Sequence, residues 1–385
     1  MARKQIVNAD IVTAEGILKG KTIVFDEKIL AISDRPENGT ETVDGSGKML
    51  LPGLIDMHIH GYNGSDCSDG TEEAVTAVAS GIIANGVTAF LPTTMTVSVP
   101  ELESAFDAAR KVRSRQCSDR KFGNTTATVI GVHAEGPFIS MAKKGAQNPK
   151  YIINPPDAEF VKKHSDIIKM ITVAPETDEN CKAIKKITSE TGVIVSAGHT
   201  TADFETMQKA IEAGVTHATH LFNAMPAISH RDPGGTTALL FSEKVSCELI
   251  CDGIHVHRGW FEPVYRIKKN KLNLITDCLR ACGLKDGSYE SGGLKFTLKG
   301  NECRLPDGTI AGSVLKLNAG VRNLYRSGVP LNEAVNCASL YNAETLGVDG
   351  ERGQLKEGLV ADIVVCDSEL NVKEVYKNGE LAFRE

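Results

Sequence analysis

The sequence contains no apolar run near the ~18 residues that a membrane-spanning helix needs, so a helical membrane protein is not expected. Its ten cysteines include no Cys-x-x-Cys pair, which removes the usual framework of a structural zinc site. The closest pairs, Cys247 with Cys251 and Cys278 with Cys282, read as buried thiols. Basic charge is also scarce: 43 Lys+Arg stand against 49 Asp+Glu, a formal net charge of -6, which offers no positive field for nucleic acid. An anionic substrate would then have to be held by a few local cations. Arg3 and Lys4 are not followed by the apolar core of about seven residues found in a secretory leader, and a reducing cytoplasm is the expected compartment. Internal repeats, low-complexity tracts and long linkers are absent as well.

What is present is length and alternation. A chain of 385 residues suffices for one large barrel-type domain with an appendage, or for two or three average domains. Residues 1 to about 50 read as short strands broken by turns, from Gln5-Ile-Val-Asn to the turn-rich Asp44-Gly-Ser-Gly47. The stretch from Gln354 onward alternates apolar and polar residues and carries an Asn378-Gly379 hairpin signal. Two strand-rich ends predict one small β-sandwich domain built from residues 1–50 and 353–385, around a different unit over 51–352.

That middle unit alternates apolar runs with helical patterns, the mark of a parallel sheet or barrel. Eight strands are expected, near 51–57, 87–91, 127–132, 168–173, 193–197, 215–219, 246–250 and 272–276. Helices are expected over Thr71–Asn85, over Asp178–Thr191 with Asp178 as N-cap, and over Ala202–Ala213. The count predicts an α/β fold with a (β/α)8 TIM-like barrel; a doubly wound open sheet is the alternative. After the eighth strand, Gly292 to Gly312 reads as a hairpin insertion, followed by two more helices.

Barrel enzymes keep their chemistry where strands run out at their C-terminal ends, because the loops there converge over one mouth. Here the strand ends carry His58 and His60, His133 and Glu135, His199, His217 and His220, Asp252 and His255, and Asp277. On a strand, alternate side chains share a face, so His58 and His60 project the same way. Any one such histidine could cap a helix or bond a carbonyl. A cluster of imidazoles and carboxylates, however, is costly to bury without a cation, and one or two divalent metals accept both ligand types. A ligand set of histidine and carboxylate leaves an open position for water, whose pKa a metal lowers toward neutrality. Asp277, alone at the end of the last strand, is the candidate acid and base; its other reading is a carboxylate that orients a ligand imidazole.

Val43-Asp-Gly-Ser-Gly-Lys-Met-Leu-Leu-Pro-Gly-Leu-Ile-Asp-Met-His58-Ile-His60 resembles the opening signature of the amidohydrolase superfamily. His133-Ala-Glu135-Gly-Pro-Phe138, Ser196-Ala-Gly-His199-Thr, Thr219-His220-Leu-Phe-Asn223-Ala-Met-Pro226 and Ile275-Thr-Asp277 are similar to motifs of the N-acetylglucosamine-6-phosphate deacetylase family. The resemblance runs in order from about residue 5 to 380. It implies that Glu135, His199 and His220 hold a main metal, that His58 and His60 join a bridging Glu135 at a second, and that Asp277 is the general base and acid. It also implies a sugar-phosphate substrate, with Asn223, backbone amides near Ala224, Arg231 and His255 at the phosphate and Ala146 and Gln147 at the substrate. The divalent metal could be zinc, iron, manganese or cobalt, and the expected assembly is a homodimer in which Arg231 could serve a neighbouring subunit. Without the resemblance, Arg231 also reads as a solvated loop cation, and His230 and His257 read as ordinary loop residues.

One departure bears on mechanism. Family members without the His-x-His pair tend to carry a histidine where this chain has Gln147, and that histidine is associated with polarising the acetyl carbonyl. A glutamine can donate a hydrogen bond but carries no charge, so the second metal is expected to assume the role as Lewis acid. The activity implied is hydrolysis of N-acetylglucosamine 6-phosphate to glucosamine 6-phosphate and acetate. Deacetylation of the galactosamine isomer, hydrolysis of another superfamily amide, and a non-catalytic scaffold are the alternatives.

Overall fold

A computed structural model describes residues 3–385. Both ends of the chain enter one eight-stranded sheet. Strands Glu380–Arg384, Val372–Lys377, Ile363–Cys366, Met49–Pro52, Lys4–Thr13, Gly16–Phe25 and Ile29–Ser33 follow one another in hydrogen-bonded order, and Glu41–Asp44 pairs with Lys4–Thr13. The long first strand serves two neighbours because it is bulged at Asn8, where φ is 59: Lys4–Val7 pair with Glu41–Asp44, and Asp10 and Ile11 pair with Met49 and Leu50. Ile6, Ile11, Ile23 and Phe25 from one end share a buried cluster with Ile363, Val365 and Tyr376 from the other. The Asn378-Gly379 turn has positive φ at both residues (49 and 75), as a two-residue hairpin requires. A Cβ on Gly379 would lie 1.6 Å from the Asp26 carbonyl oxygen, so no other residue fits.

The middle is a closed parallel barrel, which excludes the doubly wound sheet. Its strands are Leu54–Ile59, Val87–Thr94, Thr128–Val129 continuing as Val132–Glu135, Ile168–Val173, Ile194–Ala197, Val215–Ala218, Ser246–Ile250 and Leu272–Ile275. Each pairs in parallel with the next. The eighth returns to the first near the mouth, where Asp277 N donates to His58 O and His60 N donates to Cys278 O, both at 2.9 Å. Deeper along this seam a side chain joins the strands: Asn342 Nδ2 donates to Ile55 O at 2.6 Å and to Leu274 O at 3.0 Å. The third strand is interrupted at Ile130-Gly131 and runs to Glu135, three residues beyond the expected end at 132.

Helices surround the barrel, and their boundaries refine the expectations. Thr71 caps a helix over Glu72–Gly81 that tightens into a 3-10 turn over Ile82–Asn85. Asp178 does cap, accepting from Ala183 N (3.0 Å) and Ile184 N (2.9 Å), but the α-helix starts only at Lys182 because a left-handed kink at Asn180 and Cys181 intervenes. The helix expected from Ala202 begins at Phe204, with Asp203 as its N-cap. The insertion is larger than a hairpin: four antiparallel strands run from Gly287 to Gly312. Three short helices follow it rather than two, Leu317–Arg326, Leu331–Asn336 and Leu340–Leu346, because the turn at Cys337–Ser339 divides the last pair. Nine of the ten cysteines are buried, Cys117 is exposed and all are free. No helix among the described residues is long and apolar enough to cross a membrane.

Candidate active site

The strand ends meet. His58 and His60 share a face of the first strand as the alternation requires, with their Nε2 atoms 3.3 Å apart. Glu135 Oε1 faces His199 Nε2 at 3.2 Å and His220 Nε2 at 2.8 Å, while its Oε2 faces His60 Nε2 at 3.2 Å. Asp277 Oδ1 lies 3.2 Å from His60 Nε2 and 3.6 Å from His58 Nε2. All six side chains are buried, Asp277 the least at 8 % exposure, which leaves its carboxylate open to the pocket above.

Three of these residues leave their strands in the left-handed region: φ is 46 at His199, 32 at His220 and 50 at Asp277. For residues with a Cβ this is strained, and such strain collects where side-chain aim matters more than local stability. Each lies just past the end of its strand, with its side chain facing Glu135 or His60. Hydrogen bonds then fix the rings. His199 Nδ1 donates to Lys143 O at 2.8 Å, which leaves its Nε2 lone pair facing Glu135.

The donor set itself points to a cation. His199 and His220 place Nε2 against Nε2 at 3.1 Å, as His58 and His60 do at 3.3 Å, and two imidazole lone pairs in opposition repel unless something positive lies between them. Without an ion, protons must supply that charge. Burial opposes a charged His58, yet the carboxylates of Glu248 and Glu135 raise it to about 9. Burial likewise opposes ionised Glu135, and the facing His58 and His199 hold it well below the usual range. Asp277 is lowered against its burial by His60 and His58, so it is a carboxylate at neutral pH. One or two divalent ions fit these nitrogens and oxygens: Glu135 with His199 and His220 forms one group of possible ligands and His58 and His60 with Asp277 another, while Glu135 Oε1 lies 3.5 Å from His58 Nε2 and its Oε2 3.2 Å from His60 Nε2.

Above the cluster opens a pocket of about 340 Å³. Ala146, Gln147, Asn223, Ala224 and His255 line it. His255 Nδ1 donates to Asp252 Oδ2 at 2.6 Å, which orients the ring and frees its other nitrogen. Gln147 spans from Thr96 N, bonded to its Oε1 at 2.6 Å, to Glu135 Oε2, to which its Nε2 donates. Its amide is thus committed to the carboxylate. Asn223 Nδ2 is turned to the carbonyls of His220 (3.1 Å) and Leu221 (3.2 Å). Arg231 departs from the set: it is exposed and does not line the pocket of its own chain. His230 is exposed, and His257 caps a short turn through Gly259 N.

Several pocket residues were not singled out from sequence. Thr309 and the last strand of the insertion, Ile310–Gly312, form one wall, and Met95 and Lys143 form others. No local signal marks Thr309–Gly312, because the contact exists only once the insertion folds back. Glu248 did carry a signal: it is a lone charge inside an apolar run expected to be buried, and it lies 2.9 Å from His58 Nδ1.

Residues 49–382 match the amidohydrolase family. An N-acetylglucosamine-6-phosphate deacetylase of Lysinibacillus sphaericus is 38% identical over 385 residues, 98% of this chain and 97% of that protein. An N-acetylgalactosamine-6-phosphate deacetylase of Escherichia coli O157:H7 is 34% identical over 379 residues, 97% of each. The solved structure of an alanine mutant of the N-acetyl-D-glucosamine-6-phosphate deacetylase from Mycobacterium smegmatis, in complex with N-acetyl-D-glucosamine-6-phosphate, aligns with a TM-score of 0.89 at 28% identity, over 99% of this chain and 100% of that one. The chain belongs to the amidohydrolase family and is a metal-dependent hydrolase of that family.

Proposed function

We propose that this protein hydrolyses N-acetylglucosamine 6-phosphate to glucosamine 6-phosphate and acetate. The observation that carries the reading is the convergence of Glu135, His199, His220, His58 and His60 with Asp277 on the floor of one pocket, in a chain whose relatives are amino-sugar-phosphate deacetylases. Glu135, His199 and His220 would hold a main divalent ion (zinc, iron, manganese or cobalt), and His58 and His60 with Glu135 would hold a second. When bound, the metal acts as a Lewis acid that lowers the pKa of a water and polarises a carbonyl.

The chain's own groups complete the reaction. Asp277 Oδ1 accepts a proton from the attacking water as its oxygen bonds to the amide carbon. It returns that proton to the sugar nitrogen as the C–N bond breaks, which balances the hydrolysis. Gln147 holds Glu135 rather than the acetyl group, so its amide is not the group that polarises the carbonyl. His255 and the Asn223-Ala224 turn face the phosphate end of the pocket, and Asn223 would have to release its present carbonyl partners to donate there. Arg231, exposed in its own chain, fits the phosphate site of a neighbour in a homodimer. In this reading residues 51–352 carry the chemistry, residues 1–50 and 353–385 support it, and the enzyme works in the cytoplasm.

The test is kcat/KM on N-acetylglucosamine 6-phosphate, on its galactosamine isomer and on the unphosphorylated sugars. A preference for the first is expected. Equal rates with and without phosphate would remove His255 and Arg231 from their roles. The 34% identical galactosamine-6-phosphate deacetylase makes the isomer the second reading, and the same comparison decides between them.

A further inference from the structure

Glu248 lies in the barrel strand Ser246–Ile250 and is fully buried. Its Oε2 accepts two hydrogen bonds at 2.9 Å, one from His58 Nδ1 and one from the backbone N of His220. Its backbone carbonyl accepts a third, from Leu221 N at 3.0 Å. One residue therefore holds the ring of a member of one ligand group and the backbone of a member of the other.

Each contact has a consequence. A proton on His58 Nδ1, donated to a carboxylate, fixes the tautomer in which Nε2 is unprotonated and faces His60 and Glu135. The His220 amide belongs to a residue with φ of 32, and its bond to Oε2 anchors that strained turn so that the ring faces Glu135. The second oxygen, Oε1, has no hydrogen-bond partner; His217 Nε2 lies 3.4 Å away and His133 Nδ1 3.9 Å away. His133 is committed elsewhere, to Met57 O at 3.2 Å and Thr172 Oγ1 at 2.8 Å. Among the described residues no lysine or arginine pairs with Glu248. The side chains that face its negative charge are the imidazoles of His58, His217 and His133.

We propose that Glu248 is the positioning residue of the metal centre: it locks His58 as an Nε2 ligand and couples the His58–His60 group to the His220 turn. This rests on the reading that His58 and His60 bind a second ion. Glu248→Gln is the informative variant, because an amide oxygen can keep both 2.9 Å bonds while the charge is lost. Zinc stoichiometry and the dissociation constant of each zinc ion are measured by chelator competition, with thermal unfolding as the control for fold. E248Q is expected to weaken one of the two ions by about 10–100-fold and to change the other by less than about threefold. In a His58→Ala background the same change should move the remaining ion by less than about threefold, since the ring that Glu248 orients is gone. E248A, which also releases the His220 amide, should weaken both ions. Two zinc ions with affinities unaltered by E248Q overturn the role of Glu248, as does an equal loss in the H58A background. A wild-type stoichiometry of one instead overturns the second-metal reading, and the coupling with it.

Discussion

At the scale of the residue, the proposed reaction separates the site into groups that would bind metal and one that would move a proton. Asp277 is ionised, open to the pocket and 3.2 Å from His60 Nε2. Asp277→Asn keeps the shape and removes the base, so metal content and fold should persist while turnover falls; retention of more than about a tenth of kcat, an effect under ~1.4 kcal/mol, would exclude the assignment. His58 and His60 make a separate prediction. Replacing both with alanine should lower bound metal from two ions to one, leaving Glu135, His199 and His220 to hold the other, and elemental analysis of the purified variant reads this directly. These residues were legible in the sequence because a titratable side chain ending an apolar run is conspicuous. Gln147 was less so: its place is set by a bond to Thr96 N, in the loop after the second barrel strand and 51 residues earlier in the chain, and no local pattern encodes that partner.

At the scale of the element, the barrel seam is the informative feature. The first and eighth strands meet near the mouth through Asp277 N and His60 N, and deeper down through Asn342. Asn342 is fully buried and its Oδ1 also accepts from Asn273 Nδ2 at 2.8 Å. Asn342→Ala would take the side-chain donor from two buried carbonyls and leave Asn273 Nδ2 with Thr345 Oγ1 alone, at a cost of about 2–4 kcal/mol. Urea unfolding followed by circular dichroism should show the loss as a lower midpoint. Because this seam carries both His58 and Asp277, the folded variant should also lose affinity for metal. Helix positions were readable from periodicity and caps, whereas their starts were not: Asp178 caps Ala183 and Ile184 across a kink that two left-handed residues create.

At the scale of the molecule, a buried charge cluster ties the terminal sheet to the barrel. Asp362 lies 3.3 Å from Lys377 Nζ and 3.4 Å from Arg352 Nη1, which also donates to Thr128 Oγ1 of the third barrel strand at 3.2 Å. Lys377 is fully buried, and burial lowers it from 10.5 to about 8 despite Asp362. Its folded pKa is thus below its unfolded one. Between about pH 8 and 10.5 the unfolded chain keeps a proton that the folded chain has released, so this group makes stability rise with pH, by about 3 kcal/mol over the window. Lys377→Met should remove that contribution, visible as a changed difference in denaturant midpoint from wild type between pH 7.5 and pH 10 (about these values). Asp362→Asn, which removes the buried anion beside Lys377 and leaves Arg352 with only the exposed Glu351, should cost about 3–5 kcal/mol at neutral pH.

The sequence by itself determined the alternation of strand and helix, the pairing of the two ends, and the kinds of side chain that arrive at the barrel mouth. These follow from periodicity and from where a polar residue interrupts an apolar run, both of which are local. Only the tertiary structure decided that Glu135 stands between the His58–His60 pair and the His199–His220 pair, that Glu248 reaches a member of each, that the insertion walls the pocket and that Arg231 stands outside it. Each of these is a distance between residues far apart in the chain. Closing the barrel is what sets such distances, because the shared seam fixes where every strand end points.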